Sequence, residues 1–161
     1  MLDIIPSPIR GLASLLGYTL NTLFWCALLF GVALLKAIVP LKGWRRLCNH
    51  VLNLIAACWI SVNNLNLKMM NDIDWDIRGL EALRPGNWYL VLSNHQSWVD
   101  ILVLQTLFNR RIPMLKFFLK KELIWVPFLG LAWWALDFPF MKRYTKKELE
   151  QKPHLRGKDL E

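Results

Sequence analysis

Residues 88–108 read WYLVLSNHQSWVDILVLQTLF, and this stretch decides the predicted fold. Its first part, Trp88–Leu92, is a short continuous apolar run, which is typical of a strand buried on both faces of a parallel sheet. After Ser97 the apolar residues recur about every 3.6 positions, which predicts a helix that ends near Asn109. A strand that leads directly into a helix indicates an α/β layer.

The α/β pattern continues downstream of this helix. Met114–Leu119 predicts a second strand, residues 130–136 predict a short helix, and Phe138–Met141 predicts a third strand. We therefore assign residues 69–144 to an α/β domain, and the polar residues 145–161 to a tail.

The N-terminal third, residues 1–68, is predicted to be a membrane-embedded helical segment. Residues 11–35 contain no charged residue and no histidine, and about 20 such residues cross a bilayer as a helix. A signal peptide is the alternative, but its apolar core is typically about 7–15 residues long. A second apolar segment, Leu47–Leu67, is interrupted by five asparagines and His50, which favours an interfacial or protein-covered helix.

Two membrane arrangements stay open at this point. The first segment either spans the bilayer as a membrane helix or forms a helical hairpin with the second segment in one leaflet. Basic residues dominate its C-terminal side (Lys36, Lys42, Arg45 and Arg46, against Arg10), which favours a cytoplasmic location for that side. A buried helix pair of a soluble protein is the remaining alternative.

Composition favours lipid over nucleic acid as the partner of this basic chain. The chain has a net charge of +8, nine tryptophans and a hydrophobic fraction of 55%. Such a chain suits an anionic membrane surface, and most of its apolar excess lies in one run. Its three cysteines are scattered, which argues against a disulfide framework and against a zinc site. We predict neither a metal nor a cofactor.

His95 and Asp100 form the candidate catalytic pair. On one continuous helix, residues five apart lie roughly 140° apart, so they meet only if His95 precedes the helix. Ser97 is a good N-cap, which puts Asp100 in the first turn. Asp100 could then orient the imidazole, whose other nitrogen could take a proton from a hydroxyl. Alternatively, Ser97 and Asp100 form only a capping box.

The segment Asn94–Asp100 resembles the first signature, N-H-x4-D, of the glycerolipid (lysophospholipid) acyltransferase family. Phe138–Arg143 resembles the second signature of that family, an apolar strand that ends in a basic pair, and the spacing between the two also fits. The likeness covers about Trp75 to Arg143 and is strongest to the YihG-type branch of the bacterial inner membrane.

The resemblance implies a function for each of these residues. His95 would deprotonate the hydroxyl of a lysophospholipid or lysophosphatidic acid, and Asp100 would orient His95. The acyl donor would be a thioester on coenzyme A or acyl carrier protein. Arg143, with Lys142, would hold the acceptor phosphate, although a solvated basic surface is the alternative. The resemblance also implies phospholipid biosynthesis at the cytoplasmic face of a bacterial inner membrane, with membrane lipids as partners.

The chain departs from the family pattern in one respect. In the family, the third signature, Glu-Gly-Thr/Ser-Arg, and the fourth, a proline after an apolar run, lie downstream of the second, and neither occurs after Arg143 in this chain. We therefore expect the chain to be the N-terminal portion of the enzyme or, alternatively, a truncated, non-catalytic membrane-bound module of the same family.

Overall fold

A computed structural model describes residues 6–142, 144 and 146–153 of the chain. These residues fall into two compact units, which divide between Leu115 and Lys116. The first unit contains three α-helices, namely α1 (Ser7–Ile38), α2 (Lys42–Met70) and α3 (Trp98–Phe108), and a 3₁₀ turn at Leu80–Ala82. The second contains two strands and two α-helices, namely β1 (Leu119–Lys120), α4 (Leu129–Ala135), β2 (Phe140–Met141) and α5 (Lys146–Gln151), and a 3₁₀ segment at Lys121–Trp125.

Helices α1 and α2 form an antiparallel hairpin. Residues 39–41 connect them, and the basic residues Lys42, Arg45 and Arg46 lie in the first turns of α2. Side chains spaced three or four residues apart on α2 form the buried seam, as expected for one helix face. They are Cys48, Leu52, Ala56, Ile60, Asn63 and Leu67, and they are joined by Cys26 and Leu29 of α1.

Asparagine side chains link the two helices of the hairpin. Asn21 Nδ2 donates to Asn63 Oδ1 at 2.8 Å and to the Trp59 carbonyl at 3.1 Å. Further along the pair, Asn66 Nδ2 donates to the Ser14 carbonyl at 2.9 Å. Asn63 and Asn66, two of the asparagines that interrupt the second apolar segment, thus bond to protein, as in the protein-covered alternative of the sequence analysis. Asn49 differs from them, because its Oδ1 is buried without a hydrogen-bond partner among the described residues.

Helix α1 turns most of its surface away from α2. It is the one helix in the described part of the chain that is long and apolar enough to cross a membrane, judged by length and composition. Only 11% of its most apolar 18-residue window is buried, whereas the core helix of a soluble protein is mostly buried. The exposed side chains are large and apolar, among them Leu12, Leu16, Leu20 and Phe24.

Helix α3 lies against α2 through polar contacts. Thr106 Oγ1 lies 2.9 Å from Asn64 Oδ1 and 2.7 Å from the Leu102 carbonyl oxygen. Its hydroxyl has one proton, so it donates a hydrogen bond to one of these two oxygens at a time. At the end of α3, Asn109 Nδ2 donates to Ser61 Oγ at 3.0 Å and to the Ala57 carbonyl at 3.3 Å. The hairpin and α3 therefore belong to one compact unit.

The second unit contains a parallel strand pair. Leu119 pairs with Phe140 and Lys120 with Met141. The predicted third strand, Phe138–Met141, is found in part as β2, whereas β1 shares only Leu119 with the predicted second strand, Met114–Leu119. Helix α4, close to the predicted residues 130–136, packs on the 3₁₀ segment. Gly130 is required there, because a β-carbon at this position would overlap the Ile124 carbonyl oxygen.

The predicted buried strand at Trp88–Leu92 is not present. The structure assigns no strand to these residues, and Trp88, Leu90 and Leu92 are 95%, 79% and 85% exposed. An apolar run becomes a strand only when neighbouring strands accept and donate its backbone hydrogen bonds. Within the described ranges the sheet has two strands, β1 and β2. The fold is mostly helical with a small parallel sheet, so the predicted α/β class is found in part.

Candidate active site

A capping box at the start of α3 shapes the candidate site. Ser97 has extended backbone angles, and its Oγ accepts a hydrogen bond from the Val99 backbone N–H at 3.2 Å. In return, Asp100 Oδ2 accepts from the backbone N–H groups of Ser97 at 2.8 Å and Gln96 at 2.6 Å. These bonds satisfy N–H groups that a helix end leaves unpaired, and they fix the carboxylate in place.

The structure brings His95 and Asp100 together. His95 Nδ1 lies 3.3 Å from Asp100 Oδ2, and their side chains are 63% and 31% exposed. The contact forms because His95 lies in the loop ahead of α3 whereas Asp100 lies in the first helical turn. Nδ1 faces the carboxylate, and Nε2 has no hydrogen-bond partner within the described residues. The exposed ring can therefore bring Nε2 to a hydroxyl group of a ligand.

Hydrogen bonds hold the pKa of Asp100 below its ordinary value. The backbone N–H of Ser97 has the largest effect, followed by that of Gln96, and His95 adds a smaller one. The carboxylate is consequently ionised at neutral pH. It caps the helix and faces the imidazole through the same oxygen atom, so the capping interpretation and the catalytic interpretation are compatible.

The predicted phosphate-binding residues follow β2 in the second unit. Lys142 is exposed, and its Nζ lies 5.0 Å from the centroid of the Tyr144 ring, within the range of a cation–π contact. Arg143 lies outside the described residues. Lys142 belongs to the second unit, and the His95–Asp100 pair belongs to the first.

The sequence analysis missed two features, one at the site and one at the other end of α3. The backbone N–H of Gln96 is the second donor to Asp100, although no residue-type signal marks it. A cavity of about 150 Å³ lies between α2 and α3, with mostly apolar side chains around it, including Leu54, Ile60 and Phe108. His95 and Asp100 do not line this cavity. Across the described residues, no three metal-ligating side chains cluster together.

Comparison with known proteins identifies the family. A family model described as Acyltransferase matches residues 74–157, just over half of the chain, and the match includes the His95–Asp100 pair. Curated relatives include the 1-acyl-sn-glycerol-3-phosphate acyltransferase alpha proteins of Homo sapiens and Bos taurus. Each is 35% identical over 80 residues, which cover 49% of this chain. The chain spans about a quarter of their length, 27% and 26% respectively. No solved structure gives a significant match. By the extent of the family-model match, this chain belongs to the Acyltransferase family.

Proposed function

We propose that the protein is a membrane-bound acyltransferase with His95 as its general base and Asp100 as the residue that orients it. The reaction is transfer of a fatty acyl group from a thioester, on coenzyme A or acyl carrier protein, to the hydroxyl of a lysophospholipid or lysophosphatidic acid. The observation that carries this proposal is the 3.3 Å contact between His95 Nδ1 and Asp100 Oδ2. The family match and the similarity to 1-acyl-sn-glycerol-3-phosphate acyltransferases support the lipid acceptor.

The proposed reaction needs one base and no enzyme nucleophile. His95 Nε2 takes the proton from the acceptor hydroxyl while that oxygen attacks the thioester carbon. The tetrahedral intermediate then collapses, the carbon–sulfur bond breaks, and the imidazolium returns the proton to the departing thiolate. Asp100 stabilises the imidazolium because its carboxylate is ionised and already fixed by two backbone N–H groups.

The acceptor phosphate would be bound by Lys142 and Arg143. Both follow β2, and a guanidinium matches phosphate oxygens in two parallel hydrogen bonds. The domain limits that accompany this proposal are residues 1–68 for the membrane segment, 69–144 for the partial acyltransferase domain and 145–161 for the tail. The exposed apolar surface of α1 supports membrane insertion of the first segment.

The family resemblance also suggests a pathway, an enzyme type and a location for the protein. The protein would act in phospholipid biosynthesis as a YihG-type enzyme at the cytoplasmic face of a bacterial inner membrane. The basic residues Lys42, Arg45 and Arg46, which lie in the first turns of α2, support the cytoplasmic orientation of that end of the hairpin.

Acyl transfer to lysophosphatidic acid, measured with membranes that contain the protein, tests the assignment. We expect activity in the unchanged protein and its loss in His95→Ala. The matched control is His50→Ala, because His50 is an exposed histidine of α2 without an acidic partner at the motif spacing. Unchanged transfer by His95→Ala would refute the base assignment. Inactivity of the unchanged protein would favour the alternative, a non-catalytic membrane-bound module.

A further inference from the structure

We propose that the polar contacts between α2 and α3 hold the His95–Asp100 pair at a fixed place relative to the membrane hairpin. We call these contacts the α2–α3 clasp, and its residues are Ser61, Asn64, Thr106 and Asn109. The inference rests on the proposed function and deepens it, since it makes the four residues positioning residues for an acceptor that is held in a bilayer.

The clasp joins α3 to α2 at two places one helical turn apart. Thr106 meets Asn64 with an oxygen–oxygen distance of 2.9 Å, and Asn109 Nδ2 donates to Ser61 Oγ at 3.0 Å. A second bond from Asn109 reaches the Ala57 carbonyl at 3.3 Å. Two attachment points separated along a helix resist both its sliding and its tilting.

Apolar packing alone does not fix α3 on α2. No α3 side chain is fully buried. The cavity of about 150 Å³ lies between the helices beside Asn109 and Phe108, so part of their interface is not filled. Hydrophobic contact is also non-directional, whereas hydrogen bonds require particular distances and angles. The clasp therefore sets the position of α3 along α2.

Helix α3 transmits that position to the candidate catalytic pair. Thr106 follows Asp100 by six residues, which corresponds to about 9 Å along the helix axis. His95, Gln96 and Ser97 each contact Asp100, so the loop follows the first turn of α3. A small tilt at the clasp would displace His95 from the height at which a bilayer presents the acceptor hydroxyl. Misplacement by about 1 Å can slow a reaction roughly 100-fold.

The other edge of α2 provides a matched control. Asn66 is also an α2 asparagine, but its Nδ2 donates to the Ser14 carbonyl of α1. The variants Asn66→Ala and Asn64→Ala both replace an α2 asparagine by alanine. Asn66→Ala removes a bond to α1 within the hairpin, whereas Asn64→Ala removes a bond from the hairpin to α3.

The test compares two acceptors with the intact protein in membranes. One is a long-chain lysophosphatidic acid embedded in phospholipid vesicles, and the other is a short-chain, water-soluble lysophosphatidic acid. The soluble acceptor can approach His95 from water at any height. For Asn64→Ala and Thr106→Val we expect the ratio of kcat/KM for the embedded acceptor to that for the soluble one to fall about tenfold. Asn66→Ala, and Thr106→Ser, which retains the hydroxyl, should keep the ratio of the unchanged protein.

An unchanged ratio in the Asn64 and Thr106 variants, or an equal loss with both acceptors, would overturn the inference. Because the readout is a ratio, a variant that reduces only the amount of folded protein does not change it. His95→Ala in the same assay separates the two proposals. Loss of transfer to both acceptors supports the proposed base, and unchanged transfer to both rejects the base and with it the need to position it.

Discussion

Ser97 and Asp100 stabilise the start of α3 reciprocally. Ser97 Oγ accepts a hydrogen bond from the helix, and Asp100 Oδ2 accepts one from the Ser97 backbone N–H at 2.8 Å. Because backbone groups hold the carboxylate, its position does not depend on a bound ligand. The Asp100 carboxylate that His95 faces is therefore oriented before any substrate binds. This arrangement favours general-base catalysis.

Replacing Asp100 by asparagine should impair acyl transfer more than its small change in shape would indicate. The amide has no charge to stabilise the imidazolium, and it is a weaker acceptor for the backbone N–H groups of Gln96 and Ser97. We expect kcat to fall by about 10²–10⁴. The measurement is acyl transfer by membranes with equal amounts of variant and unchanged protein. The control is Asp74→Asn, at an exposed aspartate, and equal activity of the two variants would contradict the role of Asp100.

The pH dependence of stability should distinguish the unchanged protein from Asp100→Asn. The pKa of Asp100 is lowered in the folded protein, so its stabilisation is fully present above the ordinary aspartate value of about 3.9. It is lost as the pH falls through the lower folded value. Thermal unfolding in detergent should show a difference in Tm at pH 5 that becomes smaller below pH 4. A difference that grows on acidification would show that the pKa is raised instead.

Gly17 should be required where α1 meets α2. A β-carbon at this position would lie 3.1 Å from Asn66 Nδ2, which is too close for an ordinary contact. Gly17→Leu should push Asn66 away from the Ser14 carbonyl and destabilise the hairpin by about 1–3 kcal/mol. Gly31→Leu is the control, since it has the same gain in helix propensity but open space around the new side chain. Equal Tm values for the two variants would contradict this prediction.

Gly130 should tolerate no side chain at all. The Ile124 carbonyl oxygen that a β-carbon would meet is backbone and cannot rotate away. We expect Gly130→Ala to destabilise the second unit by about 3 kcal/mol. Hydrogen exchange of the intact protein should then show faster exchange in α4 and the 3₁₀ segment. Gly86→Ala, where no atom lies within 4 Å of the new carbon, should leave exchange unchanged. Similar protection in both variants would argue against the overlap.

Local signals in the sequence predicted the elements that depend on neighbouring residues. The Ser97 cap and the lengths of α1 and α3 follow from spacing and capping preferences, which act within a few residues. The contact between His95 and Asp100 could be anticipated for the same reason. The prediction of a strand at Trp88–Leu92 was wrong, because a strand depends on partner strands that are distant in sequence. The asparagines of α2 were recognised as unusual, but only the structure reveals that Asn63 and Asn66 face α1 whereas Asn64 faces α3.

The polar contacts that α2 makes with α1 and with α3 affect the order in which this unit assembles. The ribosome releases α1 and α2 well before α3, so the bonds of Asn63 and Asn66 can form as soon as the hairpin closes. Ser61 and Asn64 gain their partners on α3 only after Thr106 and Asn109 have been synthesised. Assembly of this unit is therefore ordered, and docking of α3 is the late step that brings the His95 loop to the α1–α2 hairpin.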